Sequence, residues 1–251
     1  MRLKGLLEDS SYHLNWQVVT IPSAVVTQAI AAAGCDAVII DREHGAVDWS
    51  SLHAMIAATK GSDCAPLVRV SSIDEAEVKR CLDLGAEGIC FPLLRTSQDA
   101  RRCVASLRYP PEGTRGWGPF IAHSRWDVSL MDYQPELGER PVSMLLIETR
   151  EAVANIEEIC AVPGVDCIVL AQFDLSVSLG LSGRFDHPDF VAAAEKVEAA
   201  VLAAGIPLGG VAFNQERATA LKAKGYRMTG GFDVLWLKQA VAASRGWGSS
   251  S

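Results

Sequence analysis

Long apolar runs are missing from this 251-residue chain, and none approaches the roughly 20 residues needed to span a bilayer. Basic runs are missing too. The net charge is −7 and the pI about 5.3, and no Lys/Arg cluster could neutralise a row of phosphates, so nucleic acid is excluded as an expected partner. The N-terminal MRLKGLLEDS meets Glu8 and Asp9 before any apolar stretch long enough for a signal peptide. The seven cysteines (Cys35, Cys64, Cys81, Cys90, Cys103, Cys160, Cys167) show no CxxC or CxxH spacing, and several sit in apolar runs such as GICFPLL and DCIVLA. That pattern implies reduced, buried thiols and a cytoplasmic protein, with no positioned base to make one of them a nucleophile. No Gly/Ser/Pro stretch reads as an interdomain linker. No GxGxxG follows a strand, so a nucleotide cofactor is not indicated.

What remains is one continuous pattern in which short apolar or β-branched runs alternate with Ala-rich helical segments. The strands are read as LNWQVVTI, DAVIID, PLVRV, GICFPLL, VSMLLIE, CIVLAQ, PLGGVAF and YRMTGG. Helical segments separate them, and several end in glycine, the residue best suited to a left-handed helix terminus. Eight strand–helix alternations predict an α/β fold, a single-domain (β/α)8 TIM barrel over residues 1–246 with a flexible tail at 247–251. Active sites of this fold lie at the C-terminal ends of the strands, so polar residues that terminate apolar runs are the candidates.

DAVIID continues into REHGA, which puts Asp41, Glu43 and His44 at the mouth; Arg69 ends the third strand, Glu148 the fifth, and the sixth runs into Asp174. Each alone could be a solvated strand end. Together, the carboxylates of Glu148 and Asp174 make a hard oxygen site suited to Mg2+, Mn2+ or Co2+, open enough for a 2-oxo acid to chelate. Among the five histidines, His44 alone follows an apolar strand inside an acidic cluster, which suits a general base. Arg69 could stabilise negative charge on a keto oxygen, or simply ion-pair with Glu43 or Asp41. No strand carries a lysine, which disfavours an imine mechanism. The pairs Gly209-Gly210 and Gly230-Gly231 fall where barrels often cradle phosphate but read equally well as tight turns.

The segments IIDREHG, PLVRV, LDLGAEGICFP, RYPPEGTRGWG, LLIETREAVANIEEICAVPGVD and DLSVSLG resemble, in this order, the HpcH/HpaI family of metal-dependent pyruvate aldolases. The resemblance implies a homo-oligomeric barrel (trimer or hexamer) that cleaves 4-hydroxy-2-oxo acids to pyruvate and an aldehyde. It implies His44 as base, Arg69 as the pyruvate-binding arginine, and Glu148 and Asp174 as metal ligands. Phe173 joins Arg69 and Asp174 as a substrate contact, and Asp83 resembles the acid that pairs with the histidine. Leu146 and Ala171-Gln172 depart from the family pattern, at positions near the metal and at the loop expected to hold the substrate carboxylate. A citrate lyase-like acyl-CoA lyase, a 2-oxo acid decarboxylase and a non-catalytic sugar-acid-binding barrel remain open as alternatives.

Asp83 raises a geometric question. It ends a helix just before the fourth strand, at the N-terminal face, whereas His44 follows the second strand at the opposite face. A strand of about six residues spans roughly 20 Å, too far for a hydrogen bond within one chain. The pairing therefore requires a neighbouring subunit or a shifted strand assignment, or else Asp83 is structural and Asp41 orients the base.

Overall fold

The computed structural model describes residues 1–247, so most of the expected 247–251 tail lies outside the described residues. In chain order the elements are α1 (Leu3–Glu8), β1 (Leu14–Val19), α2 (Ala24–Ala32), β2 (Ala37–Asp41), α3 (Trp49–Ala58), β3 (Ala65–Arg69), α4 (Glu75–Asp83) and β4 (Gly88–Phe91). A long excursion follows through α5 (Ser97–Leu107), α6 (Ala122–Arg125) and α7 (Tyr133–Leu137) before β5 (Val142–Ile147). The chain continues with α8 (Arg150–Ala154), α9 (Ile156–Cys160), β6 (Cys167–Leu170), α10 (Gln172–Ser178), α11 (Pro188–Ala203), β7 (Leu208–Val211), α12 (Gln215–Ala223), β8 (Met228–Phe232) and α13 (Asp233–Ser244). The eight strands are parallel and close in the order β1 to β8, with β8 pairing β1.

Alternation along each strand sorts the side chains into two cores. Trp16, Val18, Ile39, Leu67, Met144, Leu146, Val169 and Met228 fill the barrel interior, while Val38, Ile40, Val68, Ile89, Leu145 and Ile168 pack outward under the helices. Trp16 depends on a glycine across the ladder, because a Cβ on Gly230 would lie 2.3 Å from its ring. The same period carries the inward face of β2, β3 and β5 on to Asp41, Arg69 and Glu148, so the strand ends aim these three side chains into one space.

All eight expected strands are present, and the helices differ where local chemistry intervenes. The single helix read over REAVANIEEICA breaks at Asn155 into α8 and α9. The short α1 was not expected; Leu3 and Leu7 insert into the interior core and the Leu3 N–H donates to the buried Glu87 Oε1 at 2.7 Å, closing the N-terminal mouth. At the other end of the chain α13 projects with Val234, Leu237 and Val241 exposed and only Asp233 buried. All seven cysteines are free. Among the described residues, no helix is long and apolar enough to cross a membrane.

Candidate active site

Asp41 and Arg69 are register partners on β2 and β3, and their side chains form a bidentate pair: Nε donates to Oδ1 at 2.9 Å and Nη2 to Oδ2 at 2.6 Å. Asp41 is wholly buried, and its Oδ1 also accepts the Glu43 and His44 backbone N–H groups at 3.0 and 3.2 Å. It therefore locks both the guanidinium plane and the loop that carries Glu43 and His44. Gly45 lets that loop turn tightly, since a Cβ there would sit 2.3 Å from the Asp41 carbonyl oxygen. Burial works against the Arg69 charge, but the Asp41 hydrogen bonds and charge outweigh it and leave the arginine pKa raised.

Glu43 Oε2 is buried and accepts no hydrogen bond; Arg69 Nη1 and His44 Nε2 each stand 3.5 Å from it. Burial raises the Glu43 pKa, opposed by Arg69 and His44, and Asp41 and Asp174 raise it further. Glu148, four per cent exposed, accepts the Leu93 N–H at 2.5 Å. Burial, together with the charges of Glu43 and Asp174, pushes its pKa up to about 7 against that hydrogen bond. Asp174, supplied by the first turn of α10, adds its charge to those of Glu43 and Glu148 at the mouth. Leu146 lies on the inward face of β5 beneath Glu148 and lines the pocket with Arg69, Cys90, Phe173 and Asp174. The departure at Leu146 gives this cluster an apolar floor.

A divalent cation fits this donor set. Crowded carboxylates with one orphaned buried oxygen and a carboxyl held near neutrality are what a hard cation relieves. Among the described residues no three His, Cys, Asp or Glu side chains form a closed metal cage. Glu148 and Asp174 are the pair that could hold an ion while leaving room for substrate.

His44 is at the mouth but open, its side chain 61% exposed and Glu43 its nearest acidic partner. Asp41 faces Arg69 and the backbone, not the imidazole. The structure does not bring Asp83 to this site. Asp83 closes α4 at the opposite face, paired with the fully buried Arg115 at 3.2 Å. Burial raises its pKa, partly offset by Arg115. Arg115 stacks on Tyr109 and Tyr133, and beside Asp83 the loop exposes Trp117, Phe120, Ile121 and Met131. The Leu93 contact to Glu148 has no signal in the sequence, because it depends on a backbone φ of 61° at a non-glycine residue.

The family described as "HpcH/HpaI aldolase/citrate lyase" matches residues 19–240. The chain is 34% identical over 204 residues to a 2-dehydro-3,6-dideoxy-6-sulfogluconate aldolase of Pseudomonas putida, covering 81% of this chain and 80% of that protein. A 4-hydroxy-2-oxo-heptane-1,7-dioate aldolase of Salmonella dublin is 35% identical over 179 residues, or 71% of this chain and 68% of its own. Among solved structures, an HpcH/HpaI aldolase/citrate lyase family protein from Burkholderia cenocepacia J2315 superposes with a TM-score of 0.89 at 31% identity, covering 97% of both chains.

Proposed function

Because the chain belongs to the HpcH/HpaI aldolase/citrate lyase family, we propose that it is a divalent-metal-dependent aldolase, reversibly cleaving 4-hydroxy-2-oxo acids to pyruvate or a related 2-oxo acid and an aldehyde. The observation that carries this reading is the gathering of Glu43, Glu148 and Asp174 at the mouth around Arg69, which Asp41 orients through two hydrogen bonds. Among the described residues no lysine lies on a strand, so an imine has no amine to form on at the mouth. Glu148 and Asp174 would hold Mg2+, Mn2+ or Co2+, which when bound would supply Lewis-acid stabilisation for negative charge on the keto oxygen.

The chain's own residues do the rest. Arg69, fixed by Asp41, offers its remaining N–H groups to the same oxygen as charge grows there. His44, open to the mouth, takes the proton from the methyl carbon and returns one in the reverse direction. Phe173 precedes Asp174 and walls the bound substrate on its apolar side. Leu146 and Cys90 give the pocket an apolar floor.

Among the described residues, His44 has no orienting acid besides Glu43 at 3.5 Å. The reading therefore includes a homo-oligomer in which Asp83 of one copy serves His44 of another. Supporting it, the exposed Trp117, Phe120, Ile121 and Met131 surround the Asp83 loop, and α13 exposes a second apolar face. Release of pyruvate from a 4-hydroxy-2-oxo acid by the metal-loaded protein tests the proposal. Release of CO2 from oxaloacetate without pyruvate formation from the hydroxy-oxo acid favours a decarboxylase instead, and acyl-CoA turnover favours a citrate lyase-like enzyme.

A further inference from the structure

The strand ends divide the barrel mouth into unlike halves. From β2 to β5 they carry Asp41, Glu43, His44, Arg69 and Glu148; past Asp174, the ends of β7 and β8 carry Phe213 and Phe232. Asp233, which follows β8, is committed to the Thr20 hydroxyl and to the Thr20, Ile21 and Val234 N–H groups. The aromatic half is continuous. Phe173 lies edge-on to Phe185 at 5.3 Å and 6.0 Å from Phe213, which in turn stands 6.3 Å from Phe232.

These rings lead into a cavity of about 420 Å³ between α11 and α12, within the size range of small-molecule pockets. Gln172, Phe173 and Val211 line both this cavity and the pocket over Arg69 and Asp174, so the two spaces adjoin along a shared wall. Phe185, Phe190, Val191 and Phe213 form its walls. Polar groups line its far end: Lys224 pairs with Glu198 at 3.0 Å, Tyr226 donates to Glu198 at 2.9 Å, and Arg217, beside Asn214, donates to the Gln172 amide oxygen at 3.1 Å.

We propose that this cavity is the acceptor subsite, which receives an apolar, preferably aromatic, substituent on the aldehyde. The inference rests on the aldolase reading above. In the forward direction the methyl carbon of pyruvate bonds to the aldehyde carbon, its proton leaves to His44, and the aldehyde oxygen gains a proton to become a hydroxyl, so no further reactant is needed. The aldehyde carbonyl must then face the pyruvate methyl carbon, and its substituent must leave the mouth on one side. The half from β2 to β5 presents charged side chains, whereas Phe173, Phe213 and Phe232 line the other half. A hydroxylated or anionic substituent would shed water against the Phe173, Phe185 and Phe213 rings without regaining its hydrogen bonds. The expected preference thus differs from the sulfonated and dicarboxylic compounds in the relatives' names.

The test is aldol addition to pyruvate with acetaldehyde, phenylacetaldehyde and succinic semialdehyde, with pyruvate methyl-proton exchange measured alongside. The expected result is a kcat/KM for phenylacetaldehyde at least about tenfold above that for succinic semialdehyde, the scale on which an apolar pocket discriminates. Val191→Trp, which fills the cavity from a half-exposed position on α11, should lower the phenylacetaldehyde value about tenfold relative to acetaldehyde, and Phe213→Ala should lower it in the same sense. Equal losses for every aldehyde overturn the proposal, as does a succinic semialdehyde preference that Arg217→Ala removes, which would assign the cavity to ionic capture. Proton exchange without the selectivity overturns this subsite alone; absence of exchange in the wild type overturns the aldolase reading and the subsite with it.

Discussion

Glu148 accepts the Leu93 N–H at 2.5 Å, and Leu93 presents that N–H from a backbone φ of 61°, in the left-handed region. A leucine rarely adopts such a conformation. The strain is therefore held exactly where a buried carboxylate needs a donor, and it shows that the fold commits backbone as well as side chains to the Glu148 position.

The pKa of Glu148 gives a prediction for the metal-free protein. A carboxyl whose folded pKa exceeds its unfolded value favours the fold most when protonated. Its contribution is fully present below the ordinary value of 4.5 and is lost as pH rises through about 7. In excess chelator, Glu148→Gln should accordingly be more stable than wild type above pH of about 7, by as much as about 3 kcal/mol, and indistinguishable from it near the ordinary carboxyl value. Denaturant unfolding across this pH range measures the difference. Equal stability at the alkaline end would mean that burial does not strain this carboxyl.

Metal dependence is the second expectation. Activity should vanish in chelator and return with Mg2+, Mn2+ or Co2+, and borohydride with pyruvate should trap no covalent adduct. Glu148→Gln and Asp174→Asn should each abolish metal binding measured calorimetrically, with circular dichroism unchanged. Normal binding by either variant removes that residue from the metal site.

For Arg69 the bidentate geometry matters as much as the charge. Arg69→Lys keeps a cation but loses the planar fork that meets both Asp41 oxygens, so it should lower kcat/KM by about tenfold or more, and Arg69→Ala should depress both binding and turnover. A defect confined to KM would contradict a role in stabilising the charge that develops during reaction.

The separation of Asp83 from His44 makes a shared site testable. His44→Ala and Asp83→Asn proteins should each be inactive, and mixed oligomers of the two should recover activity, because some sites then receive both intact residues. No recovery in proven mixed oligomers would favour a site built within one chain, with Asp83 held structurally by Arg115.

Much of this was legible in the sequence because alternation in a parallel barrel is strict. Once β2, β3 and β5 are recognised, period two forces Asp41, Arg69 and Glu148 onto the inward face, and the loop after β2 carries His44 with them. The choice of partner for Arg69 was open in the sequence, since Asp41 and Glu43 were both candidates. Direct registry of Asp41 with Arg69 gives Asp41 the bidentate hydrogen bonds, and Glu43 keeps only an ion pair at 3.5 Å without a hydrogen bond to its Oε2. The α1 plug was hidden because its six residues contribute only Leu3 and Leu7 to the core, too few for a helical period to emerge. The Leu93 amide and the cavity behind Phe173 were hidden for another reason: both arise from residues distant in sequence that meet only when the barrel closes.

The central claim, a metal-assisted loss of a methyl proton to His44, is tested most directly by exchange of pyruvate's methyl protons in deuterated water, followed by NMR without any aldehyde. The account predicts exchange by the Mg2+-loaded protein, none in chelator, and a loss of about 10²-fold or more in His44→Ala. Exchange that persists undiminished in chelator or in His44→Ala would contradict it.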